Sequence, residues 1–362
     1  MMKKEELMQL HIQPPDENVR RQVKQSWDNL AKPLDSMGRF ETLTAQIGAI
    51  LEDADLDIGK KAVIVMCADN GIVEEGISQS GQEVTAAVAR AMGQNQSSVC
   101  RMAQQIGADV IPVDIGINQK EPIPGVRLKK AACGTRNFAK EPAMTEAETL
   151  EAIATGMEMV KACKEAGYRL VATGEMGIGN TTTSSAVAAA LLGCEAADIV
   201  GRGAGLSDSG LARKKQVIQE ALERYRRPDE DAFMQEKQET LRILAAVGGL
   251  DIAGLAGVCI GGARYHLPVV LDGVISAVAA LTASRLVPGV RDYLIPSHMS
   301  REPAMQQIMK ELQLTPVIDG GLALGEGTGA VMMFALLDLA AALYRGRTTF
   351  SKMEVEPYER FC

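Results

Sequence analysis

Apolar residues recur along this chain in two alternating rhythms. Over residues 1 to about 58 they fall at helical spacing among many charges, with Leu30, Leu34, Phe40, Leu43, Ile47 and Leu51 predicting helices that lay one face on a larger body. Lys61–Ala68, KAVIVMCA, is instead a continuous β-branched run that stops at Asp69-Asn70-Gly71. That is the pattern of a strand buried on both faces of a parallel sheet and ended by a turn.

From there the rhythms alternate. The spacing predicts a helix over Gln82–Ile106, a strand over Asp109–Ile115, a helix over Thr145–Ala166 and a strand over Tyr168–Thr173. Helices follow over Thr181–Leu192, over Ser207–Tyr225 with a charged outer side, and near 235–264, and then a strand over Leu267–Leu271. A small-residue helix running to Leu286, a strand over Asp292–Ile295 and a helix over Met305–Leu312 complete the series. Tyr225–Glu239, charged and containing proline, reads as a solvated connection. Repeated strand–helix alternation means βαβ units, hence an α/β fold with a parallel sheet flanked by helices and right-handed crossovers. Ala68-Asp69-Asn70-Gly71, Thr173-Gly174-Glu175 and Asp272-Gly273 end predicted strands, and in such sheets ligands sit outside the strands' carboxyl ends.

Two stretches on that rim carry chemistry. Val317–Tyr344, VIDGGLALGEGTGAVMMFALLDLAAALY, sets one carboxylate, Glu326, between Gly325 and Gly327 just ahead of an apolar helix starting near Thr328. The glycines remove bulk beside the carboxylate and open otherwise restricted dihedrals, and the following helix's N-terminus favours negative charge there. Gly174–Ser185, GEMGIGNTTTSS, follows a strand and opens a helix, so its freed N–H groups, hydroxyls and helix dipole suit a phosphate. It is neither a dinucleotide fingerprint, since the third glycine would fall on Thr182, nor a Walker loop, which needs G-K-[ST]. A tight turn with Asn180 or Thr181 as helix cap uses the same residues. Glu175 adds a second acid on the rim, which suggests general-base and charge-stabilising roles on one substrate.

Composition narrows the field. A net charge of −8 without any basic stripe argues against nucleic acid as a partner. Seven scattered cysteines without C-x-x-C spacing, and three dispersed histidines, read as a protein of the reducing cytoplasm rather than a disulfide or zinc framework. MMKKEELMQL lacks the apolar core of a signal peptide. Ile243–Ala263, the most membrane-like run, carries Asp251 and six glycines and is better explained by closely packed buried helices, so no membrane association is expected.

Five blocks in order, ADNGIVEEGIS (68–78), GEMGIGNTTTSSA (174–186), PVVLDGVISAVAAL (268–281), IPSHMSREP (295–303) and LGEGTGA (324–330), resemble the nicotinate-nucleotide:dimethylbenzimidazole phosphoribosyltransferase family. The resemblance spans Lys61 to Tyr344. It implies transfer of phosphoribose from nicotinate mononucleotide to a benzimidazole-type base, with inversion at C1′, for the lower ligand of cobalamin. It implies a homodimer whose α/β core, a Rossmann-like three-layer unit, covers 59–304, beside a smaller helical domain drawn from 1–58 and about 305–362. Glu326 falls on the family's catalytic base and Glu175 on the second acid near the ribose. Gly177, Gly179, Asn180, Thr181, Gly203, Lys214 and Ser297 would hold phosphate and ribose, and Ser80, Val88, Met176 and Leu324 the base. No metal or cofactor is implied, and the acidic-pair TTG loop of the magnesium-dependent phosphoribosyltransferases is missing. Ala323 stands where some members have Arg, and Val88 where some have Gln. Both make the base pocket less polar and leave the acceptor open among dimethylbenzimidazole, another benzimidazole, a purine and a phenol. A non-catalytic nucleotide binder remains the alternative of a different class, although a mere binder has no need of a carboxylate between two glycines.

Overall fold

The continuous apolar run Lys61–Ala68 forms a fully buried strand, β1, with a parallel partner on each edge. A computed structural model describes residues 2–226 and 234–359; 227–233, within the expected solvated connection, lie outside the described residues. The sheet has six strands in the order β3-β2-β1-β4-β5-β6. They are β2 Asp109–Gly116, β3 Arg127–Leu128, β4 Leu170–Met176, β5 Val269–Leu271 and β6 Leu294–Pro296, and every neighbouring pair is parallel. The order reverses between β1 and β4, so the crevice for a ligand opens at their carboxyl ends.

Fifteen helices are described. Those before β2 are α1 Lys4–Met8, α2 Glu17–Asp28, α3 Arg39–Leu51, α4 Glu83–Gly93 and α5 Ser98–Gln105. Between β3 and β5 come α6 Glu146–Glu165, α7 Asn180–Leu192, α8 Ala196–Ile199, α9 Asp208–Tyr225, α10 Met234–Val247 and α11 Leu250–Arg264. The rest are α12 Val274–Leu286, α13 Ala304–Glu311, α14 Thr328–Gly346 and α15 Phe350–Met353. Successive side chains of a strand point to opposite faces; accordingly Val63 of β1 lies against Gly327 at the start of α14, while Met66 lies against Gly254 of α11.

Three departures from the sequence pattern bear on the site. The expected single helix over Gln82–Ile106 is two, because Asn95 adopts φ 58° and the Ser97 hydroxyl accepts the Cys100 N–H to start α5. β4 runs past Thr173 to Met176, so Glu175 stands inside the sheet opposite Met66 of β1 rather than in a loop. The last strand begins at Leu294, after a 3₁₀ turn over Val290–Tyr293. The short β3 carries too few residues for a periodic signal.

The membrane-like run Ile243–Ala263 is divided at Gly248-Gly249 between α10 and α11. Its glycines serve helix contact: a Cβ on Gly257 would lie 2.0 Å from the Ile153 carbonyl oxygen of α6, and one on Gly156 of α6 would lie 2.0 Å from that of Gly254. The backbones of α6 and α11 therefore touch. α14 is long and apolar enough to cross a membrane, with a mean hydropathy of 1.4, but half of that window is buried inside the protein. Its far end meets the N-terminal helices, where Trp27 packs on Tyr344 at 5.3 Å between ring centroids.

Gly257→Ala is expected to lower stability by about 3 kcal/mol, the cost of overpacking a site with no room to relax. Urea unfolding measures it; an unchanged midpoint would mean that the α6–α11 contact separates at little cost.

Candidate active site

Loops leaving the carboxyl ends of β4, β5 and β6 and the loop before α14 enclose a cavity of about 210 Å³. Eight of the residues expected from sequence line it: Glu175, Met176, Gly177, Asn180, Thr181, Gly203, Leu324 and Glu326. Ala323 lines it too, as do Asp272, His298, Ser300 and Glu302, which the sequence reading did not single out as site residues.

Glu326 takes φ 61° between Gly325 at 85° and Gly327 at 96°. Three left-handed residues in a row are costly for the one that is not glycine, and the surroundings hold it there. A Cβ on Gly325 would lie 2.4 Å from Glu175 Oε1, one on Gly327 2.5 Å from Val63 Cγ1, and one on Gly174 2.5 Å from the Glu326 carbonyl oxygen. The flanking glycines thus serve close packing of this loop on β1 and β4, rather than only clearing a path for substrate. The helix dipole at Glu326 also has a different source from the expected one. Asp272, at the end of β5, accepts the N–H groups of Gly327, Gly329 and Ala330 at 3.1, 2.8 and 3.2 Å, so the N-terminus of α14 is capped by another carboxylate. The side chain of Glu326 instead accepts the Val99 N–H from the first turn of α5 at 3.2 Å.

Glu175 lies beneath this turn. Its carboxylate accepts the Glu326 N–H and a bond from Asn180 Nδ2, whose amide also reaches Asp251 Oδ2 at 3.2 Å. Asn180 is the first residue of α7, and the cap is Gly179 at φ 93° with no side-chain bond; the amide is spent on two carboxylates instead. Burial pushes Glu175 up to about 8, against the pull of Asn180 and with the charges of Asp251 and Asp272 adding to it. Burial also pushes Asp251 and Asp272 up to about 6, although each accepts N–H bonds that oppose the rise. At about 8, the Glu175 carboxyl is largely protonated at pH 7.

Part of the cavity wall offers hydroxyls and backbone N–H groups, with a buried lysine behind Thr181. Lys214 of α9 is fully buried, donates to Thr181 Oγ1 at 2.9 Å and to the Gly201 carbonyl at 3.2 Å, and is drawn down to about 8 by burial against the opposing charge of Glu302. The Gly203 N–H donates to Glu302 Oε1 at 3.0 Å. Ser300 Oγ, on the cavity wall, is buried with no hydrogen-bond partner among the described residues.

Five expected residues do not line the cavity. Gly179 and Lys214 stand behind it, the latter acting through Thr181. Ser297 is buried below it, its hydroxyl bonded to the Asp272 carbonyl at 3.3 Å and to His298 Nδ1 at 3.1 Å. Ser80 is exposed ahead of α4 and Val88 half-buried on it; α4 touches the rim where Thr85 Oγ1 accepts the Ile178 N–H at 3.1 Å. Asp272 carried a usable signal, since it directly follows β5 on the ligand side of the sheet, whereas His298 and Ser300 stand two and four residues beyond the end of β6. Among the described residues, one acidic group is close enough to ligate a cation, Asp28, Asp35 and Glu41. It lies outside the cavity and is bonded to Lys24.

Comparison with known proteins agrees with this architecture. A family model described as Phosphoribosyltransferase matches residues 12–355. Proteins named nicotinate-nucleotide–dimethylbenzimidazole phosphoribosyltransferase from Clostridium acetobutylicum and Acetivibrio thermocellus are each 42% identical, the first over 95% of this chain and 96% of its own, the second over 93% and 94%. The crystal structure of the Thermus thermophilus protein of that name superimposes with a TM-score of 0.86 at 36% identity, covering 94% of this chain and 99% of its own.

The raised carboxylates give a signed pH dependence. Their folded values lie above those of the unfolded chain, so the stability they contribute is full below about pH 4 and is lost as pH rises through about 6 for Asp251 and Asp272 and about 8 for Glu175. Between pH 6.5 and 8.5 the unfolding free energy is expected to fall by about 2 kcal/mol on account of Glu175. Glu175→Gln should remove that part of the slope; an identical slope in the variant would show that Glu175 ionises near its ordinary range.

Proposed function

The chain belongs to the phosphoribosyltransferase family whose model it matches over residues 12–355, and from that premise we propose that it transfers the phosphoribosyl group of nicotinate mononucleotide to a benzimidazole-type base for cobalamin lower-ligand synthesis. One base nitrogen attacks C1′ of the ribose from the face opposite nicotinate. The bond from C1′ to the pyridinium nitrogen breaks with its electron pair going to nicotinate, while Glu326 takes the proton from the other base nitrogen. The products are nicotinate and an α-ribazole 5′-phosphate. The observation that carries this reading is the Glu326 carboxylate, held at a strained turn on a cavity also lined by Thr181, Gly203 and Ser300, whose buried hydroxyl has no hydrogen-bond partner among the described residues.

Glu175 fits the second acidic role through its environment. Protonated by burial when no cation is beside it, it ionises when the cationic pyridinium ring is bound nearby, and the carboxylate then stabilises positive charge developing on the ribose. Met176, Leu324, Val274 and Ile275 supply an apolar wall suited to a flat heteroaromatic acceptor, and Ala323 adds no charge to it, although Arg301 also lines the cavity. Fixing both reactants in line lowers the barrier by up to roughly 7–11 kcal/mol.

The protein acts in the cytoplasm as a homodimer, with 1–58 and about 305–362 as a smaller helical domain beside the core of 59–304. The separate buried cluster of Val23, Trp27, Leu30, Ala45, Leu56 and Tyr344 supports that division. The dimer is supported by a helical stripe on α14, where Met332, Leu339 and Leu343 are exposed and Leu336 is half-buried.

Incubation with nicotinate mononucleotide and a panel of benzimidazoles, purines and phenols, followed by nicotinate release, tests the activity; no release with any acceptor would overturn it. Glu326→Gln is expected to lose about 10²–10⁴-fold in kcat while calorimetry still detects both substrates, and near-normal turnover would remove Glu326 as the base. Leu339→Glu should sediment as a monomer where the native protein sediments as a dimer; a native monomer would refute the assembly.

A further inference from the structure

This polar part of the cavity wall already holds a negative group, the protein's own. Glu302, on the loop between β6 and α13, lines the cavity and accepts the Gly203 N–H at 3.0 Å. Its carboxylate also presses on the backbone of Gly201, where a Cβ would lie 2.2 Å from Oε2. Gly201 and Gly203 belong to the segment whose carbonyl receives Lys214, and the charge of Glu302 acts on that buried lysine. Ser300, two residues away on the same loop, keeps its hydroxyl unpartnered among the described residues. A carboxylate therefore occupies the N–H donor of Gly203, close in sequence to a hydroxyl without a partner among the described residues.

From this arrangement we infer that Glu302 is an internal occupant of the phosphate seat, and that a substrate phosphate binds by displacing it. The inference rests on reading this part of the cavity as the phosphate site. Like charges a few ångströms apart in a partly buried site repel strongly, so the carboxylate and the phosphate do not share the Gly203 N–H. The incoming dianion takes that donor and feels the charge of Lys214 from behind Thr181, and Glu302 turns outward into water. The displacement is a toll on every anion, because observed affinity is reduced by the fraction of protein whose seat is open. A phosphate dianion on a ribose overcomes it through its second charge and its other contacts, whereas carboxylates and free phosphate do so poorly. Glu302 thus sets selectivity for a phosphorylated substrate, and its return favours release of the phosphorylated product.

Titration calorimetry of the full-length protein with inorganic phosphate tests this directly, with Glu302→Gln and Glu302→Ala beside the native protein. Both variants should bind phosphate about tenfold more tightly, the effect of removing one competing charge at short range in a partly screened site. The KM for nicotinate mononucleotide should fall by a similar factor without a rise in kcat. Unchanged or weaker phosphate binding in folded variants would overturn the inference, because a carboxylate that merely braces the Gly201–Gly203 segment loses affinity when removed. Should neither variant fold, the Gly203 amide resonance of the native protein decides: phosphate must shift it as the acceptor changes, and a static resonance refutes the displacement. Tighter phosphate binding without turnover of nicotinate mononucleotide would uphold the role of Glu302 and sink the proposed activity; turnover with unaltered phosphate affinity would do the reverse.

Discussion

One carboxylate, Asp272, fixes the relation between the sheet and the reactive loop. The first N–H groups of any helix lack intrahelical partners and must find acceptors when buried. At the start of α14 they find Asp272, carried on the end of β5 and accepting from Gly327, Gly329 and Ala330. Because Glu326 immediately precedes these residues, its position is set by a strand more than fifty residues earlier in the chain. Its left-handed backbone persists because the residues on either side are pinned.

The same cap shapes the electrostatics. Asp272 and Asp251 lie close enough to Glu175 for their charges to raise it, and burial raises all three. Asn180 spreads one amide over Glu175 and Asp251, which satisfies oxygen atoms without bringing in a cation. A cluster of buried carboxylates of this kind favours a positively charged guest over an anion. Elsewhere around the same cavity the protein satisfies its own donors, with the Gly203 N–H bonded to Glu302 and Lys214 to Thr181.

Close backbone contact is what makes these placements possible. Gly174 admits the Glu326 carbonyl to the surface of β4, and Gly325 admits the Glu175 carboxylate. On the other face, Gly156, Gly254 and Gly257 bring α6 and α11 together, which sets α11, and with it Asp251, against the sheet. Glycines are costly to fold, and here the cost is matched by approaches that no other residue permits.

The parallel sheet, the strand–helix alternation and the strand-to-helix turn within Gly174–Ser185 were all legible in the order of residues, because apolar runs, periodicity and turn residues are local signals. Glu326 was legible as well, since a carboxylate between two glycines before an apolar helix is itself a local pattern. Its partners were not. That Val99 rather than α14 supplies the N–H to Glu326 depended on a helix break at Asn95–Ser97, and that Asp272 caps α14 depended on β5 lying beside β4. Ser297 looked like a site residue and is bonded beneath the cavity, whereas Ser300, three residues on, faces into it; the local sequence treats the two alike. The chain alone determined which chemistry was available. Tertiary structure decided which groups meet and which are buried, because hydrogen-bond partners and desolvation arise between residues distant in sequence, and these in turn set the charge on Glu175 and the orientation of Glu326.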